Sequence, residues 1–293
     1  MIKWRGIRWS IHPLFVLIMV ASAVTGYFAE LITLFIIVLV HEMGHVLVAR
    51  SLGWTVKEVK LLPFGGVAEV EEAGGASAKE DAIVAIAGPL QNVWMAAAAW
   101  GCGAFGIWDA EWAQYVMMAN VIIGSFNLLP IHPLDGGKLM QSLLSYFLHY
   151  YQALLWTARI SLTLSGAMTL SALLPVLLHG EGVQLNLFII GVFLIASNWT
   201  YMRHVPFLFY RFLVQRERLA RRLTELGREA SPLIVQGGQS VLSVARRFNR
   251  ERYHLVYVLE PAAKELRVLA EEAIVAGCLS GENPGRAVSE LLR

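Results

Sequence analysis

The sequence predicts an α-helical polytopic membrane protein with six transmembrane helices, followed by a small α+β domain at its carboxyl end. Of its 293 residues, 56% are hydrophobic and only 16% are charged, whereas soluble domains average about 25% charged residues. Residues 9–49 and 80–137 contain no lysine or arginine, and charge returns after Arg203. This shift in composition predicts a membrane part over residues 1–202 and soluble segments after it.

Six stretches are apolar over a length close to the roughly 20 residues that cross a bilayer. The predicted spans cover about residues 11–28, 31–52, 82–106, 113–130, 154–178 and 183–202. The first stretch lacks a convincing cleavage site before the next one, so we expect it to stay as a membrane span.

The distribution of basic residues predicts that both termini are cytoplasmic. If six helices alternate in direction, the termini share one side with the second-to-third and fourth-to-fifth connections. The lysines and arginines fall on or near that side, whereas the opposite connections carry no basic residue. Lysine and arginine are enriched in short cytoplasmic loops, which sets the orientation. The net charge of +2 is too small to indicate nucleic-acid binding.

The second predicted span contains an HExxH motif, His41-Glu42-Met43-Gly44-His45. Residues i and i+4 share one helix face, so both imidazoles can bind one metal ion. Glu42 lies beside that ion without being a ligand, and it can take the proton of the attacking water as a general base. The pattern predicts a zinc site, because zinc makes water acidic enough to attack a peptide bond near neutral pH.

A chance match or a polar contact between helices is the alternative interpretation of this motif. It is disfavoured because the three ionisable residues lie within the apolar residues 34–48. An ionisable residue at mid-bilayer costs about 3 kcal/mol or more unless it is paired or hydrated, so such residues are functional by default.

A catalytic zinc needs a third protein ligand, and residues 127–137 contain the strongest candidate, Asp135, at the end of the fourth span. Helix-disfavouring residues surround it and predict a broken backbone, namely Pro130, Pro133, Gly136 and Gly137. Irregular backbone at membrane depth is tolerated where it lines a polar cavity. Two alternatives stay open, with Asp135 as a cap in an Asp-Gly turn or His132 as the ligand.

At these positions the sequence resembles the site-2 protease family of intramembrane zinc metalloproteases. That family combines HExxH in one span with N-x-x-P-x-x-x-x-D-G in a later one, matched here by Asn127, Pro130, Asp135 and Gly136. The resemblance implies Asp135 as the third zinc ligand. It also implies that Asn127 holds the substrate or the developing oxyanion, with a hydrogen bond between spans as the alternative.

Two further segments are similar to elements of this family. Residues 87–92 resemble its AGP-x-x-N element, which allows close helix packing and a kink. Residues 63–72 resemble its membrane-dipping β-hairpin, with strands expected within 54–62 and 66–70. A free strand edge near the zinc can pair with an extended substrate, and a plain amphipathic loop is the alternative. The implied substrate-binding residues are Pro63, Phe64, Gly65, Gly66, Val67 and Asn92.

Within the family, the sequence is most similar to the branch that processes the pro-sequence of a sporulation sigma factor. The similarity rests on residues 61–66, 70–72 and 130–139, and on six spans followed by a small cytoplasmic domain. It implies a pro-sigma-factor-like substrate, inhibitory membrane protein partners, and a place in the bacterial cell membrane, such as the outer forespore membrane. Another transcription regulator or a membrane peptide is the alternative substrate.

Two segments follow the last span. Residues 203–230 combine arginines with an apolar face, which is typical of an amphipathic helix on an anionic membrane surface. An ordinary linker helix is the alternative. Residues 231–293 predict strands near 233–235, 255–258 and 266–269, and helices near 241–248 and 271–279.

The order of these elements in residues 231–293 resembles a single CBS domain. CBS domains usually work in pairs and often bind adenine nucleotides. The resemblance therefore implies a homo-oligomer formed through the CBS-like domain, with ATP as a ligand there. A docking or stability module without a ligand is the alternative.

Together these motifs predict a zinc endoprotease that cuts a membrane-associated substrate near the cytoplasmic face of the bilayer. A metal transporter or sensor is one alternative, but a transport site formed by His41, His45 and Asp135 has no need of a base at Glu42. An inactive homologue acting as a scaffold is the other alternative, and the intact Glu42 disfavours it as well.

Overall fold

The computed structural model describes residues 2–4, 7–11, 24, 26–62, 65–71, 77–179, 182–225, 227, 230–260, 265–280 and 283–292. The chain divides into two compact units. The first unit comprises Met1–Ala73, Lys79–Pro130 and Leu134–Leu139. The second unit comprises Gly74–Ala78, Ile131–Pro133 and Met140–Arg293.

The first unit contains a small sheet and three long helices. Its elements in chain order are β1 (Ile2–Trp4), β2 (Ile7–Ile11), α1 (Phe28–Ser51), β3 (Thr55–Leu62), β4 (Gly65–Glu71), α2 (Ala78–Ala104) and α3 (Ala110–Asn127). The strand order is β1-β2-β3-β4, with β2 and β3 parallel and the other neighbours antiparallel. The predicted hairpin is confirmed as β3 and β4, whereas β1 and β2 were too short to predict.

A further helix, α4 (Asp135–Phe147), follows an irregular stretch over residues 128–134. The prediction that Gly136 and Gly137 break the helix is wrong, because both lie in its first turn. Gly136 instead allows α4 to lie close to the preceding backbone, since a Cβ at this position would lie 2.1 Å from the carbonyl oxygen of Leu128. The prolines end the regular structure, and the glycine lets α4 begin against the preceding chain.

The second unit combines long helices with the carboxyl-terminal domain. Its later elements are α5 (Tyr150–Ser171), α6 (Leu174–His179), α7 (Leu185–Glu225), β5 (Ala230–Gln236), α8 (Val241–Ala245), β6 (Tyr253–Glu260), β7 (Glu265–Ala270), α9 (Glu271–Leu279) and a 3-10 helix (Val288–Leu292). Strand β6 pairs in parallel with β5 and antiparallel with β7. This order of strands and helices agrees with the sequence pattern, while the CBS-like assignment stays a prediction.

Four helical stretches among the described residues are long and apolar enough to cross a membrane, namely Phe28–Ser51, Ala78–Ala104, Tyr150–Val176 and Leu185–Arg216. They match the second, third, fifth and sixth predicted spans. Most of the first predicted span lies outside the described residues. The fourth corresponds to α3, which is less apolar because it carries Gln114, Asn120 and Asn127. The described residues therefore contain four candidate membrane spans, and the number six stays a prediction.

Helix α7 continues without a break from the last predicted span into the soluble part, so no helix end occurs at residues 202–203. Its apolar residues Phe212, Leu213 and Leu219 are buried in one core with Val256 and Ile274 of the carboxyl-terminal domain. Part of the apolar face of residues 203–230 therefore packs against protein, and a position of this segment on a membrane surface stays a prediction. Amphipathic periodicity predicts a covered face without specifying what covers it.

Arg216 is the most deeply buried charged residue among those of this helix whose side chains the structure describes, with its side chain 1% exposed. Its guanidinium makes two hydrogen bonds of 3.0 Å to the carboxylate of Glu271. The remaining N–H groups donate to backbone carbonyl oxygens, those of Asn249, Arg250 and Arg252. All five donors of the guanidinium therefore have acceptors, and α7 is joined to the carboxyl-terminal domain by a fully hydrogen-bonded buried ion pair.

Glu271 also accepts two hydrogen bonds from His254. The backbone N–H of His254 donates to Oε2 at 2.9 Å, and Nδ1 lies 3.3 Å from the same oxygen. Nε2 of His254 accepts from the backbone N–H of Asn249, so the proton of the neutral ring is on Nδ1. Burial alone raises the pKa of Glu271, but His254 and the charge of Arg216 outweigh it and hold that pKa below its ordinary value. The carboxylate of this buried cluster therefore stays ionised.

Candidate metal centre

Helix α1 carries His41 and His45 one turn apart, and both are buried. Their rings lie edge to face with centroids 4.9 Å apart. The two Nε2 atoms are 3.2 Å from each other. The i, i+4 spacing therefore directs two metal-ligating nitrogens to one point, as the motif predicted.

Asp135 brings a carboxylate to the same point from the first residue of α4. Its Oδ2 lies 3.1 Å from Nε2 of His41 and 3.0 Å from Nε2 of His45. Among the described residues, His41, His45 and Asp135 form the one set of three histidine, cysteine or acidic side chains that could hold a metal ion. The predicted convergence of these three residues is observed.

The hydrogen bonds behind His41 leave its Nε2 without a proton. Asn120 donates from Nδ2 to the carbonyl oxygen of Val116, so its Oδ1 accepts from Nδ2 of Asn92 at 3.1 Å. Oδ1 of Asn92 must then accept from Nδ1 of His41, at 2.5 Å. Because Nδ1 carries the proton of the neutral ring, Nε2 presents a lone pair to the centre.

His45 is oriented in the same way by α2. Its Nδ1 lies 2.7 Å from the carbonyl oxygen of Val84, which can only accept. Both Nε2 atoms and the carboxylate oxygen are therefore acceptors that face one another without a shared proton. Zinc–nitrogen bonds of about 2.0–2.1 Å in a tetrahedron place ligand atoms about 3.3 Å apart. The observed separations of 3.0 to 3.2 Å fit such an ion.

Gly88 keeps this centre open. A Cβ at this position of α2 would lie 2.2 Å from Nε2 of His45 and 2.6 Å from Nε2 of His41. Helices α1 and α2 also approach closely at Gly44, where a Cβ would lie 2.7 Å from the carbonyl oxygen of Ala87. The predicted close packing at Gly88 is therefore present, and its consequence is room beside the ligand nitrogens.

Glu42 and Asn127 are the two residues for which the sequence suggested catalytic roles. Glu42 is buried on α1, next to His41. Asn127 is the last residue of α3, half-buried, and its Nδ2 donates to the carbonyl oxygen of Ile123 at 3.1 Å. One N–H and the carbonyl oxygen of the Asn127 amide remain available for another partner.

His132, the rival third ligand, does not belong to the metal-binding set. Its ring stacks on Tyr201 with centroids 4.0 Å apart. Its backbone N–H donates to Oγ of Ser161 at 2.9 Å. The geometry favours Asp135 as the third ligand, because its carboxylate contacts both His41 and His45 and completes the metal-binding set found among the described residues.

Asn92, a predicted substrate-binding residue, lies behind a metal ligand, and its contact with substrate stays a prediction. It is 2% exposed, and its amide links His41 to Asn120. A partner of this kind sets the tautomer and the ring orientation of a metal ligand. The sequence pattern could not distinguish these two roles, since both need an amide near the centre.

The remaining predicted substrate-binding residues belong to the hairpin. Pro63 and Phe64 lie outside the described residues. Gly65, Gly66 and Val67 are in β4, paired with Leu62, Leu61 and Lys60 of β3. Within the part of the chain that the structure describes, β4 has β3 as its one neighbour in this sheet, and its other side is an edge there.

Lys138 is a residue of the centre that sequence reasoning did not single out. Its Nζ lies 3.2 Å from Oδ1 of Asp135, while Oδ2 faces the histidines. The Lys138 side chain is 53% exposed, so its charge is partly screened by solvent. The i, i+3 spacing from Asp135 was the available signal, but it required knowing that α4 begins at Asp135.

Comparison with known proteins connects this geometry to a protease family. The model of peptidase family M50 matches residues 29–109 and 106–164. Stage IV sporulation protein FB of Bacillus subtilis (strain 168) is 32% identical over 292 residues, covering 99% of this chain and 98% of that protein. Zinc metalloprotease MJ0392 of Methanocaldococcus jannaschii is 31% identical over 185 residues, or 59% of this chain and 53% of the relative.

A solved structure shares the fold. The site-2 protease from Methanocaldococcus jannaschii matches with a TM-score of 0.51 and 24% identity, over 69% of this chain and 94% of that one. The full-length relative, the matching family model and the shared fold show that the chain belongs to peptidase family M50, the site-2 proteases, and is a zinc metalloprotease.

Proposed function

We propose that this protein is an intramembrane endoprotease whose zinc is held by His41, His45 and Asp135. The observation that carries the proposal is the convergence of three buried acceptor atoms at 3.0 to 3.2 Å from one another. Acceptors at this distance repel unless a cation lies among them. We expect purified protein to hold about one zinc per chain, as catalytic sites with three protein ligands do.

Zinc supplies Lewis acidity, which lowers the pKa of water and polarises a peptide carbonyl. Glu42 is the general base, because a carboxylate next to His41 can accept the proton of the attacking water and pass it to the leaving amine. Asn127 stabilises the developing oxyanion or holds the substrate with its remaining N–H group. Burial of the ligands excludes bulk water and strengthens these polar interactions.

The substrate binds in an extended form along the edge of β4. A peptide bond inside a helix is shielded, so a membrane segment must unwind before it is cut. An exposed strand edge provides backbone hydrogen-bond groups for such a segment. The sheet order supports this role for the edge at Gly65, Gly66 and Val67.

The substrate class that we propose is the pro-sequence of a sporulation sigma factor. Similarity over nearly the whole chain to a protein named for stage IV of sporulation supports it. We also propose regulation by inhibitory membrane proteins and a place in the outer forespore membrane, as the resemblance of the sequence motifs implies. We further propose that both termini are cytoplasmic, in agreement with the basic residues.

The carboxyl-terminal domain captures the substrate, joins copies of the chain, or responds to ATP. Its strand and helix order supports a CBS-like module. Since α7 packs into the core of the domain, the domain is attached to the helix that contains the last candidate span.

Co-expression with a candidate pro-sigma factor tests the proposed activity, with the size of the substrate as readout. We expect wild-type protein to shorten the substrate and Glu42→Gln to lower cleavage by at least about 100-fold, the usual contribution of a general base. Glu42→Gln should keep its zinc, because Glu42 is not a ligand. The control is Glu30→Gln, a change in the first turn of the same helix. Cleavage by Glu42→Gln at the wild-type rate would exclude the proposed base.

A further inference from the structure

Polar side chains from two membrane helices hold the chain just before Asp135. Asn198 of α7 donates from Nδ2 to the carbonyl oxygen of His132 at 2.6 Å, and to that of Leu194 in its own helix at 2.8 Å. Both acceptors are carbonyl oxygens, so the orientation of the amide is determined. Asn198 is fully buried.

A second side chain holds the other backbone group of the same residue. Oγ of Ser161 in α5 accepts from the backbone N–H of His132 at 2.9 Å. Ser161 is also fully buried, and its carbonyl oxygen accepts from Oγ of Ser165 at 2.7 Å. The backbone N–H and C=O of His132 are therefore both hydrogen-bonded to side chains, and these side chains come from two separate helices.

The irregular backbone at this point explains why such partners are needed. Pro133 has no N–H group, and residues 128–134 form no regular helix, so the N–H and C=O of His132 have no helical partners and are bonded by side chains instead. At membrane depth each unsatisfied group is costly, and irregular backbone persists only where protein supplies partners. Asn198 and Ser161 supply them to the residue that lies three positions before Asp135.

We infer that Asn198 and Ser161 are positioning residues for the metal centre, holding the 131–133 segment so that α4 begins with Asp135 in its ligating place. The inference rests on the proposed role of Asp135 as a zinc ligand. Burying the polar amide of Asn198 in an apolar span costs free energy. A residue that serves only for packing has no need of such an amide. Holding the segment lowers the conformational freedom that zinc binding must otherwise remove.

Zinc affinity of the full-length protein in detergent, measured by competition with a chromophoric chelator, tests the inference. The variants are Asn198→Leu, which removes the donor, and Ser161→Ala, which removes the acceptor from another helix. We expect each to bind zinc about 10-fold more weakly, at the low end of the loss seen when partners behind metal ligands are changed. The control is Thr157→Ala in α5, a buried hydroxyl that bonds only to the carbonyl oxygen of Ala153 in its own helix.

Absorption of the Co²⁺-loaded protein provides a second readout that a general loss of stability does not change. We expect altered visible bands in both variants, because a displaced carboxylate changes the ligand field, and the wild-type spectrum in Thr157→Ala. If Asn198→Leu does not fold, Ser161→Ala decides alone. Wild-type affinity and spectrum in Ser161→Ala, or equal loss in Thr157→Ala, overturn the inference.

Asp135→Asn, measured in parallel, separates this inference from the proposed function. If Asp135→Asn binds zinc as tightly as wild type, the ligand assignment fails and the inference fails with it. If Asp135→Asn loses zinc while Asn198→Leu and Ser161→Ala keep it, only the positioning role is excluded.

Discussion

Hydrogen-bond partners orient both histidines of the metal centre, so its ligands depend on residues that are not ligands. A hydrogen bond to Asn92 orients His41, and Asn92 is itself hydrogen-bonded to Asn120. A hydrogen bond to the carbonyl oxygen of Val84 orients His45. Each bond leaves Nε2 free for zinc. At the scale of single residues, the ring protons of both histidines therefore point away from the metal, and the atoms that face the metal are acceptors.

Asp135→Asn and His132→Ala distinguish the two candidates for the third ligand. Asp135→Asn should weaken zinc binding by more than about 100-fold, because changing a partner behind a ligand already costs about 10–100-fold. His132→Ala should have a much smaller effect, since it keeps the backbone groups that bond to Ser161 and Asn198. Chelator competition measures both, and the reverse order of affinities would assign the ligand to His132.

At the scale of secondary-structure elements, the close approach of α1 and α2 positions His41 and His45. Small residues permit this approach, as is usual between helices in membranes. Gly44 faces the backbone of Ala87, and Gly88 faces the two histidine rings. The same packing that joins the two helices therefore leaves the space in which a metal ion fits.

Gly88→Ala should abolish zinc binding while leaving the protein folded in the membrane. The added methyl group would lie 2.2 Å from Nε2 of His45, so the ring must move out of its ligating position. Gly101→Ala is the matched control in α2, because a Cβ there meets nothing within 4 Å. That control should gain up to about 1 kcal/mol of helix stability. The measurement is the zinc content of the two variants, purified at equal yield. Full zinc content in Gly88→Ala would contradict the assigned position of the metal.

At the scale of the whole molecule, α7 joins the last candidate span to the carboxyl-terminal domain as one helix of 41 residues. The buried pair of Arg216 and Glu271 ties the two together. Such a pair adds little net stability compared with apolar residues, but losing one member leaves an uncompensated buried charge. We therefore expect a change of one partner to destabilise the attachment more than a paired change that removes both charges.

Arg216→Met should destabilise the carboxyl-terminal domain by about 3–5 kcal/mol, the usual cost of removing one partner of a buried ion pair. The double variant Arg216→Met with Glu271→Leu should recover the part of that loss that comes from the unpaired charge, but not the hydrogen bonds that the two side chains make to the backbone. Arg211→Met, a change at an exposed position of the same helix, is the control. Limited proteolysis across a urea series measures the stability of the domain. Equal stability of Arg216→Met and the control would show that the ion pair does not hold the domain.

Several features of this protein follow from local sequence patterns. The i, i+4 spacing of His41 and His45 depends only on helix geometry, and the candidate spans depend only on runs of apolar residues. The strand and helix order after residue 230 likewise follows from periodicity over a few residues, whereas the hairpin of β3 and β4 was implied by the family resemblance. Local geometry is enough to identify the motif, the membrane class and the family resemblance.

Tertiary structure decided which residues support those local elements. Asn92 faces His41 across 51 positions of sequence, Asn198 faces His132 across 66, and Arg216 faces Glu271 across 55. Whether a polar residue contacts substrate, a metal ligand or a broken backbone depends on which helix packs beside it. Helix α4 was missed for a related reason, because a 13-residue amphipathic helix carries no span-length apolar signal. The sequence by itself determined the ligand chemistry, and packing determined what holds each ligand in place.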